Sequence, residues 1–244
     1  MKTRLITAAV GVPFLIFVLV VRGWFAELVI ALLTIIAMRE CYRALGKAGY
    51  NVCTWGGYAA AVAMWPLSRV MGVLDPLLLV VAAMGISMTG VMLREKPTFP
   101  DAAASVYPLF TCFLPMSMFM MMMNSTYGVV PGIALITMAF AIAYVGDGAA
   151  YFGGRAMGKH KLCPNVSPKK TVEGAIFGGV GGTIGGLICR AVFVYAFHMP
   201  MPGIPAAIAL GLIGSVAGEI GDLSASLLKR HSGIKDYGKI FPGH

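Results

Sequence analysis

The sequence is poor in charged residues, which make up only 12% of its 244 positions. Ordinary soluble domains carry about 25% charged residues. Hydrophobic residues, by contrast, make up 58% of the chain. This composition excludes an ordinary soluble domain and predicts an all-α fold, a polytopic bundle of transmembrane helices.

Acidic residues are especially few, with 10 Asp and Glu against 19 Lys and Arg, so that the formal net charge is +9. In a soluble protein, such an excess of positive charge would suggest a nucleic-acid partner. In a membrane protein, the preference of Lys and Arg for cytoplasmic loops and the attraction of an anionic leaflet explain it. We therefore expect no nucleic-acid partner.

Cysteine is scarce, and its pattern excludes two classes of protein. The five cysteines are an odd number and show no paired spacing. A disulfide framework and a cysteine metal site are therefore not expected, and the residues are interpreted as small apolar side chains or free thiols. They are Cys41, Cys53, Cys112, Cys163 and Cys189.

Long apolar runs fill most of the chain. A membrane-spanning helix needs about 20 mostly apolar residues. No small-residue cleavage site follows the first run, which ends at Val21, so we expect a retained span rather than a signal peptide. Eight spans are predicted, at residues 5–21, 24–38, 52–68, 74–93, 105–123, 128–146, 173–197 and 203–221.

Basic residues divide unequally between the two sides of this bundle. If the N-terminus lies inside, the five inside segments hold 2, 3, 2, 5 and 4 Lys or Arg residues, and the outside loops hold only Arg22 and Arg69. Because cytoplasmic loops carry the excess of Lys and Arg, we predict a cytoplasmic N-terminus. The inside segments are 1–4, 39–51, 94–104, 147–172 and 222–244.

Two apolar patterns predict packing rather than chemistry. The methionine-rich run at 116–123 is interpreted as lipid-facing or gap-filling side chains, because thioethers are adaptable core material. Glycines at Gly174, Gly178, Gly182 and Gly186 repeat every four residues and share one helix face. Such a stripe predicts a closely packed neighbouring helix. That neighbour belongs either to the same chain, which we favour, or to a second copy of the chain.

Polar residues concentrate in a first cluster at 147–174, which carries five basic residues, several glycines and hydroxyl groups. Basic side chains neutralise phosphate, and glycines let backbone amides approach an anion closely. The segment is therefore predicted to be a cytoplasmic loop that binds a polyphosphate. The alternative is a basic loop that only touches lipid head groups.

One segment of this cluster is similar to a phosphate-binding P-loop. Gly153, Gly158 and Lys159 have the required spacing, but His160 stands where the motif needs Ser or Thr. A P-loop also follows a buried strand of a parallel sheet, whereas a predicted membrane helix precedes this one. We therefore reject a P-loop fold.

A second polar cluster lies near the C-terminal end of the sequence. If residues 217–230 are helical, two carboxylates, a hydroxyl group and two basic groups share one face about 100° wide. Hard oxygen ligands favour Mg²⁺, which typically uses one or two carboxylates together with substrate phosphates. The alternative is the amphipathic end of a juxtamembrane helix. The residues on this face are Glu219, Asp222, Ser226, Lys229 and Arg230.

The two clusters together resemble the signature of the phosphatidate cytidylyltransferase (CDP-diacylglycerol synthase) family. The first part, Asp-x-Gly/Ala-Ala-Tyr-Phe-x-Gly-Arg-x-x-Gly-Lys-His-Lys-Leu and then Ser-Pro-x-Lys-Thr-x-Glu-Gly, matches residues 147–162 and 167–174. The C-terminal part matches residues 221–230, 235–236 and 242–244. The apolar N-terminal half agrees with the family only in general character.

In the family, a Gly-Gly pair and an Asp-Arg-x-Asp segment would follow His244, and the 244 residues do not include them. We therefore expect a chain truncated inside the signature. The resemblance implies that an aspartate of that segment joins Asp222 in holding the metals.

The resemblance implies that CTP and phosphatidic acid are converted to CDP-diacylglycerol and pyrophosphate. It implies Mg²⁺, together with a second monovalent or divalent cation, and membrane lipids as surroundings. The expected location is a bacterial inner membrane, with the active site facing the cytoplasm. We expect N-terminal transmembrane helices at 1–104 and a catalytic region at 105–244, whose polar loops are 147–174 and 219–244.

The resemblance also implies roles for individual residues. Asp222 is expected to be a metal ligand, and Asp147 a second acid near the metal or the nucleotide. His160 is equally compatible with a plain surface residue. Further catalytic candidates are Ser226, Lys229 and Arg230, and the candidates for substrate binding are Lys159, His160, Lys161, Ser167, Lys170, Thr171, Glu173, Lys235, Asp236 and His244.

Three other functions stay open at this point. A related enzyme would transfer the cytidylyl group to another lipid phosphate, such as an isoprenoid ether lipid. A transporter or lipid-binding membrane protein would show charges within paired repeats, but no internal repeat is present and the charges concentrate on one side. A catalytically incomplete fragment would fold without chemistry.

Overall fold

The computed structural model describes residues 23–68, 75–124, 126–127 and 129–238, and residues 11, 13–14, 17–18 and 20–21. The structure is 78% helical, which confirms the all-α prediction. The helices are α1 (Gly23–Lys47), α2 (Trp55–Leu67), α3 (Asp75–Met92), α4 (Phe99–Pro108), a π-helical turn (Leu109–Phe113), α5 (Leu114–Asn124), α6 (Gly132–Met157), α7 (Val172–Tyr195) and α8 (Ile204–His231). The short strands are β1 (Thr126–Tyr127), β2 (Val130–Pro131), β3 (Lys161–Cys163) and β4 (Ser167–Thr171), paired as two antiparallel hairpins.

Within the described residues, four helices are long and apolar enough to cross a membrane: Phe99–Met123, Gly132–Met157, Val172–Tyr195 and Ile204–His231. They coincide with the last four of the eight predicted spans. A shorter apolar helix covers Pro76–Met92. These helices indicate an integral membrane protein, and the four N-terminal spans stay predictions.

The two polar segments expected as loops, 147–174 and 219–244, are partly helical, and the helix considered over 217–230 is present within α8. The segment predicted as a loop from residue 147 remains in α6 as far as Met157, and α8 continues to His231. The mean hydropathy of the sequence falls after residue 147 and after residue 221, but both helices continue. A methyl group at Gly154 would lie 3.3 Å from the Gly174 Cα, so α6 and α7 remain in close contact beyond the apolar stretch.

The chain forms two compact units. The first contains the described residues of 1–124 and 228–238, and the second those of 125–227. In the first unit, Cys41, Ala44 and Leu45 of α1 pack with Ala104 and Leu228 in a buried cluster. The partly buried side chains around that cluster are Tyr50, Val52, Tyr107, Cys112, Ile234 and Tyr237. The segment after α8 is thereby anchored in the first unit.

The second unit is built on α6 and α7, which pack antiparallel along the glycine stripe. All four stripe glycines are buried. A methyl group at Gly174 would lie 3.0 Å from the Ala150 carbonyl oxygen, and one at Gly186 would lie 3.1 Å from Ile142 Cγ1. The prediction that the stripe packs within the same chain is therefore confirmed.

Candidate functional site

A β-hairpin between α6 and α7 positions the first group of polar residues. In its antiparallel register, Lys161 lies opposite Thr171 and Cys163 opposite Ser167. The Thr171 hydroxyl accepts a hydrogen bond from the Gly174 amide at 3.1 Å and caps the N-terminus of α7. Because β4 ends at this cap, Lys170 is fixed directly before the helix begins.

The Lys170 ammonium lies between two carboxylates of α8. Its Nζ atom is 2.9 Å from Glu219 Oε1 and 2.6 Å from Asp222 Oδ2. The two acids are three residues apart and share a helix face, as their spacing predicted. Asp147 of α6 interacts electrostatically with all three residues. These four residues, named the Lys170 cluster below, join three segments that are distant in the sequence.

The Lys170 cluster has more negative than positive formal charge. Partial burial lowers the pKa of Lys170, but the hydrogen bonds and charges of Asp222 and Glu219 outweigh it and hold that pKa above its ordinary value. The ammonium group is therefore fully charged at neutral pH, and it pairs with two carboxylates while Asp147 lies within electrostatic range. This excess of acid is suited to the binding of an additional cation.

The carboxylate of Glu173 binds the segment between α6 and β3. It accepts hydrogen bonds from the backbone amides of Lys159, at 3.1 Å, and His160, at 3.2 Å. Its Oε1 atom also lies 2.6 Å from His160 Nδ1. A negative charge in the first turn of α7 is favoured by the helix dipole. Glu173 therefore holds the backbone between α6 and β3 against the start of α7.

Other predicted site residues are distributed more widely. Lys159 and Lys161 are exposed on the hairpin, and Ser167 and Ser226 are half-buried. Lys229 lies in the first unit, where its Nζ atom is 5.2 Å from the centre of the Tyr237 ring. Arg230, Lys235 and Asp236 belong to the same unit and are exposed, and His244 lies outside the described residues.

The glycines of the first cluster have a different function from the one that the sequence indicated. Gly153 and Gly154 lie inside α6 rather than in a loop that exposes amides to an anion. A methyl group at Gly154 would lie 2.9 Å from Thr171 Oγ1, and one at Gly153 would collide with the Phe177 ring. These glycines allow α7 and its cap to approach α6 closely.

The rejection of a P-loop is confirmed. Gly153 lies within α6. Gly158 still donates its amide to the Gly154 carbonyl at 3.0 Å, and its extended backbone ends that helix. A helix, not a buried strand, therefore precedes Lys159, so the backbone cannot form the strand–loop–helix cradle that a P-loop requires.

The chemistry of the Lys170 cluster fits Mg²⁺. Its donors are carboxylate oxygens, which are the hard ligands that Mg²⁺ prefers, and one or two carboxylates suffice when substrate phosphates complete the coordination. Within the described part of the chain, no group of three or more His, Cys, Asp or Glu residues converges as a ready metal site. The cluster by itself would therefore leave several coordination positions of Mg²⁺ to other ligands.

Glu219 was predicted as one of the two carboxylates on the Mg²⁺-binding face, but without a role of its own. The sequence placed it on the acidic face of α8 through its spacing from Asp222, but only the structure shows that both acids meet Lys170. A helix-face pattern identifies which side chains point together. It does not identify the residue of another segment that they contact.

Comparison with known proteins places this arrangement in a family. The sequence model of the cytidylyltransferase family matches residues 2–244. The chain belongs to this family. It is 42% identical over 113 residues to a phosphatidate cytidylyltransferase of Staphylococcus haemolyticus, a match that covers 46% of this chain and 42% of that protein.

Two further members show the same degree of similarity. A phosphatidate cytidylyltransferase of Bacillus subtilis is 41% identical over 113 residues, which cover 46% of this chain and 40% of the relative. One of Staphylococcus epidermidis is 43% identical over 113 residues, covering 46% and 42%. The match therefore spans less than half the length of each of these cytidylyltransferases.

Proposed function

We propose that this protein transfers a cytidylyl group from CTP to phosphatidic acid, giving CDP-diacylglycerol and pyrophosphate. The observation that carries the proposal is the family match over residues 2–244. The relatives named phosphatidate cytidylyltransferase support the choice of both substrates. The basic hairpin beside an acidic cluster suits a reaction between two phosphate compounds.

In the proposed reaction, a phosphate oxygen of the lipid attacks the α-phosphorus of CTP. A new P–O bond forms, the bond from the α-phosphorus to the bridging oxygen breaks, and its electron pair leaves with pyrophosphate. The nucleophile is already anionic, so the main barrier is the approach of two polyanions. Lys159, Lys161 and Lys170 lower this barrier by neutralising phosphate charge and by orienting the reactants in line.

Asp222 and Asp147 are the residues that would hold Mg²⁺ in this proposal. The chemistry that bound Mg²⁺ supplies is neutralisation of phosphate charge and polarisation of phosphoryl oxygens. Asp222 is suited to this role because 63% of its side chain is exposed, against 23% for Glu219. A second cation remains part of the proposal without an assigned set of ligands.

The hairpin residues are proposed to act in two ways. Ser167 and the lysines contact phosphate, while Thr171 and Glu173 hold the hairpin in place through the contacts described above. The roles of the C-terminal residues rest on the family resemblance, which implies that they contact phosphate or organise the segment over the site. These residues are Ser226, Lys229, Arg230, Lys235, Asp236 and His244.

We further propose eight spans, a cytoplasmic N-terminus and an inner-membrane location. The bias of Lys and Arg toward one side supports this orientation. CTP would then reach the site from the cytoplasm, and the lipid would enter from the leaflet.

The glycine stripe is filled within the chain and gives no support to a homodimer, which would need another surface.

The test is conversion of phosphatidic acid to CDP-diacylglycerol in detergent micelles with labelled CTP and Mg²⁺. The 244-residue chain is assayed beside the same chain extended by the family's Gly-Gly and Asp-Arg-x-Asp segment. We expect product from at least one of them, and loss of at least about 100-fold in turnover for Asp222→Ala, in the range for removal of an electrostatic group at a reacting centre.

Glu95→Ala is the matched control, since Glu95 is an exposed acid of the first unit. It should retain activity. Full activity of Asp222→Ala would remove the metal assignment, and absence of both product and CTP binding in both chains would contradict the proposed reaction. An isoprenoid ether lipid phosphate, added as competitor, tests whether phosphatidic acid is the preferred acceptor.

A further inference from the structure

Lys170 has two carboxylate partners with different surroundings. We propose that Glu219 is a positioning residue that retains the Lys170 ammonium when Asp222 turns to a divalent cation. This inference deepens the proposed function and rests on its assignment of Asp222 to the metal. It gives Lys170 two successive roles, first as counter-ion of Asp222 and then as a phosphate ligand.

The exposure of the two acids supports this division of roles. Asp222 has 63% of its side chain exposed and is accessible to a cation from solution, whereas Glu219 has only 23% exposed. The Lys170 side chain is itself only 24% exposed, close to the exposure of Glu219. The outer carboxylate is therefore the one free to exchange its partner, and the inner one is suited to hold the lysine.

Repulsion between the Lys170 ammonium and a divalent cation favours the exchange of partners at Asp222. The Lys170 ammonium is 2.6 Å from Asp222, so a divalent cation on the same carboxylate would be repelled by it. This repulsion falls when Lys170 moves away from Asp222, so we expect it to leave when the cation binds. Its hydrogen bond to Glu219, at 2.9 Å, can remain while it moves, because the lysine stem is flexible.

After the exchange, the ammonium donors of Lys170 that had bound Asp222 are available to another acceptor. An ammonium group has three donors, and Glu219 needs only one of them. The others would be available to donate to a phosphate group of the substrate. Without Glu219, the lysine would pair with Asp222 alone and would compete with the cation more strongly.

The first experiment measures Mn²⁺ binding by electron paramagnetic resonance in the full chain, without CTP and without lipid. Lys170→Met is expected to bind Mn²⁺ about tenfold more tightly than the unaltered chain, the order expected for removing a unit charge beside a divalent ion in a water-like dielectric. Lys170→Gln serves as a second variant if the first one unfolds.

Lys169→Met is the matched control, because Lys169 is the exposed neighbour of Lys170 on the same strand. It removes the same charge one residue away, and its Mn²⁺ affinity should change much less. Equal tightening in both lysine variants, no tightening in Lys170→Met and Lys170→Gln, or no Mn²⁺ binding in any chain would overturn the proposal.

A double-mutant cycle tests the role of Glu219. Glu219→Gln alone should weaken Mn²⁺ binding, but in the Lys170→Met chain the same change should weaken it less, by a factor of about three or more. Equal weakening in both chains would mean that Glu219 acts on the cation directly, and the positioning role would be wrong. The unfolding temperature of each variant separates this effect from loss of structure.

These measurements do not depend on catalysis. A chain that shows the predicted Mn²⁺ affinities but makes no CDP-diacylglycerol would retain this inference and lose the proposed reaction. A chain that makes the product without the predicted Mn²⁺ affinities would retain the proposed reaction and lose this inference.

Discussion

Glu173 illustrates, at the scale of the single residue, how one carboxylate organises a basic segment. It is bonded to the amides of Lys159 and His160 and to the His160 ring. A carboxylate would repel the phosphates of a substrate, and here its oxygens already have protein donors. Its proposed effect on binding is therefore indirect, through the position of the two lysines that flank His160.

Replacing Glu173 by Ala should raise KM for CTP about tenfold and change kcat less, because the change removes hydrogen bonds to a charged acceptor, which are stronger than those between neutral groups. Glu173→Gln should retain part of the effect, since its amide oxygen can still accept one bond. Steady-state kinetics at varied CTP concentration measures both constants.

His160→Ala is the matched control for Glu173. It removes only the ring contact and leaves the two backbone amides to bind the carboxylate. We expect a smaller rise in KM than for Glu173→Ala. A larger rise would show that CTP binding depends on the His160 imidazole rather than on the backbone position that Glu173 holds.

The residue scale also shows the limit of spacing arguments. The pattern of Glu219 and Asp222 correctly predicted a shared helix face, because the α-helix has a fixed repeat. The partner of that face, Lys170, lies 49 residues from Glu219. No local pattern encodes such a distance, so the Lys170 cluster could not be derived from the sequence.

At the scale of elements, the second unit depends on close contact between α6 and α7. Small residues on the facing sides allow the backbones to approach, as in other membrane helix pairs. A methyl group at Gly185 would lie 2.7 Å from the Ala141 carbonyl oxygen, closer than van der Waals contact permits. The pair also carries the hairpin between its ends, so its spacing fixes the position of Lys170.

Gly185→Ala should destabilise the protein by about 1–3 kcal/mol, the usual cost of overpacking a close-packed interior. Gly179→Ala on the same helix is the control, because a methyl group there has its nearest neighbour, Leu212 Cδ2, at 4.0 Å. That change should be neutral or stabilising, since Ala favours helix over Gly. Thermal unfolding in detergent compares them, and equal stability of the two variants would argue against the close contact at Gly185.

At the scale of the whole molecule, the distribution of charge predicts which side of the membrane holds the hairpin. A cysteine at Asn165, in the turn between β3 and β4, should react with an impermeant maleimide only after the inner membrane is permeabilised. A cysteine at Pro200, between α7 and α8, should react in intact cells. Both positions are exposed.

The labelling uses chains whose five native cysteines have been replaced. The two sites are separated by α7, a helix of membrane-spanning length, so they should report opposite sides. Labelling of Asn165→Cys before permeabilisation, with Pro200→Cys protected, would reverse the proposed orientation. Identical labelling of both would contradict a span between them.

The amino-acid sequence by itself determined the helical membrane class, the last four apolar spans, the packing face of α7 and the shared face of α8. These properties follow from composition and from the local repeat of the helix, which neighbouring residues specify. It did not locate the ends of α6 and α8, because helices continue as long as their backbone bonds and packing do, even where hydropathy falls.

Only the tertiary structure decided which polar groups meet. It joined Lys170 to Glu219 and Asp222, and it assigned the Glu173 carboxylate to backbone amides. The physical reason is that electrostatic and hydrogen-bonding partners are selected by distance in space after the helices pack, and that distance is set by interactions along the whole of α6 and α7 rather than by the residues of the cluster themselves.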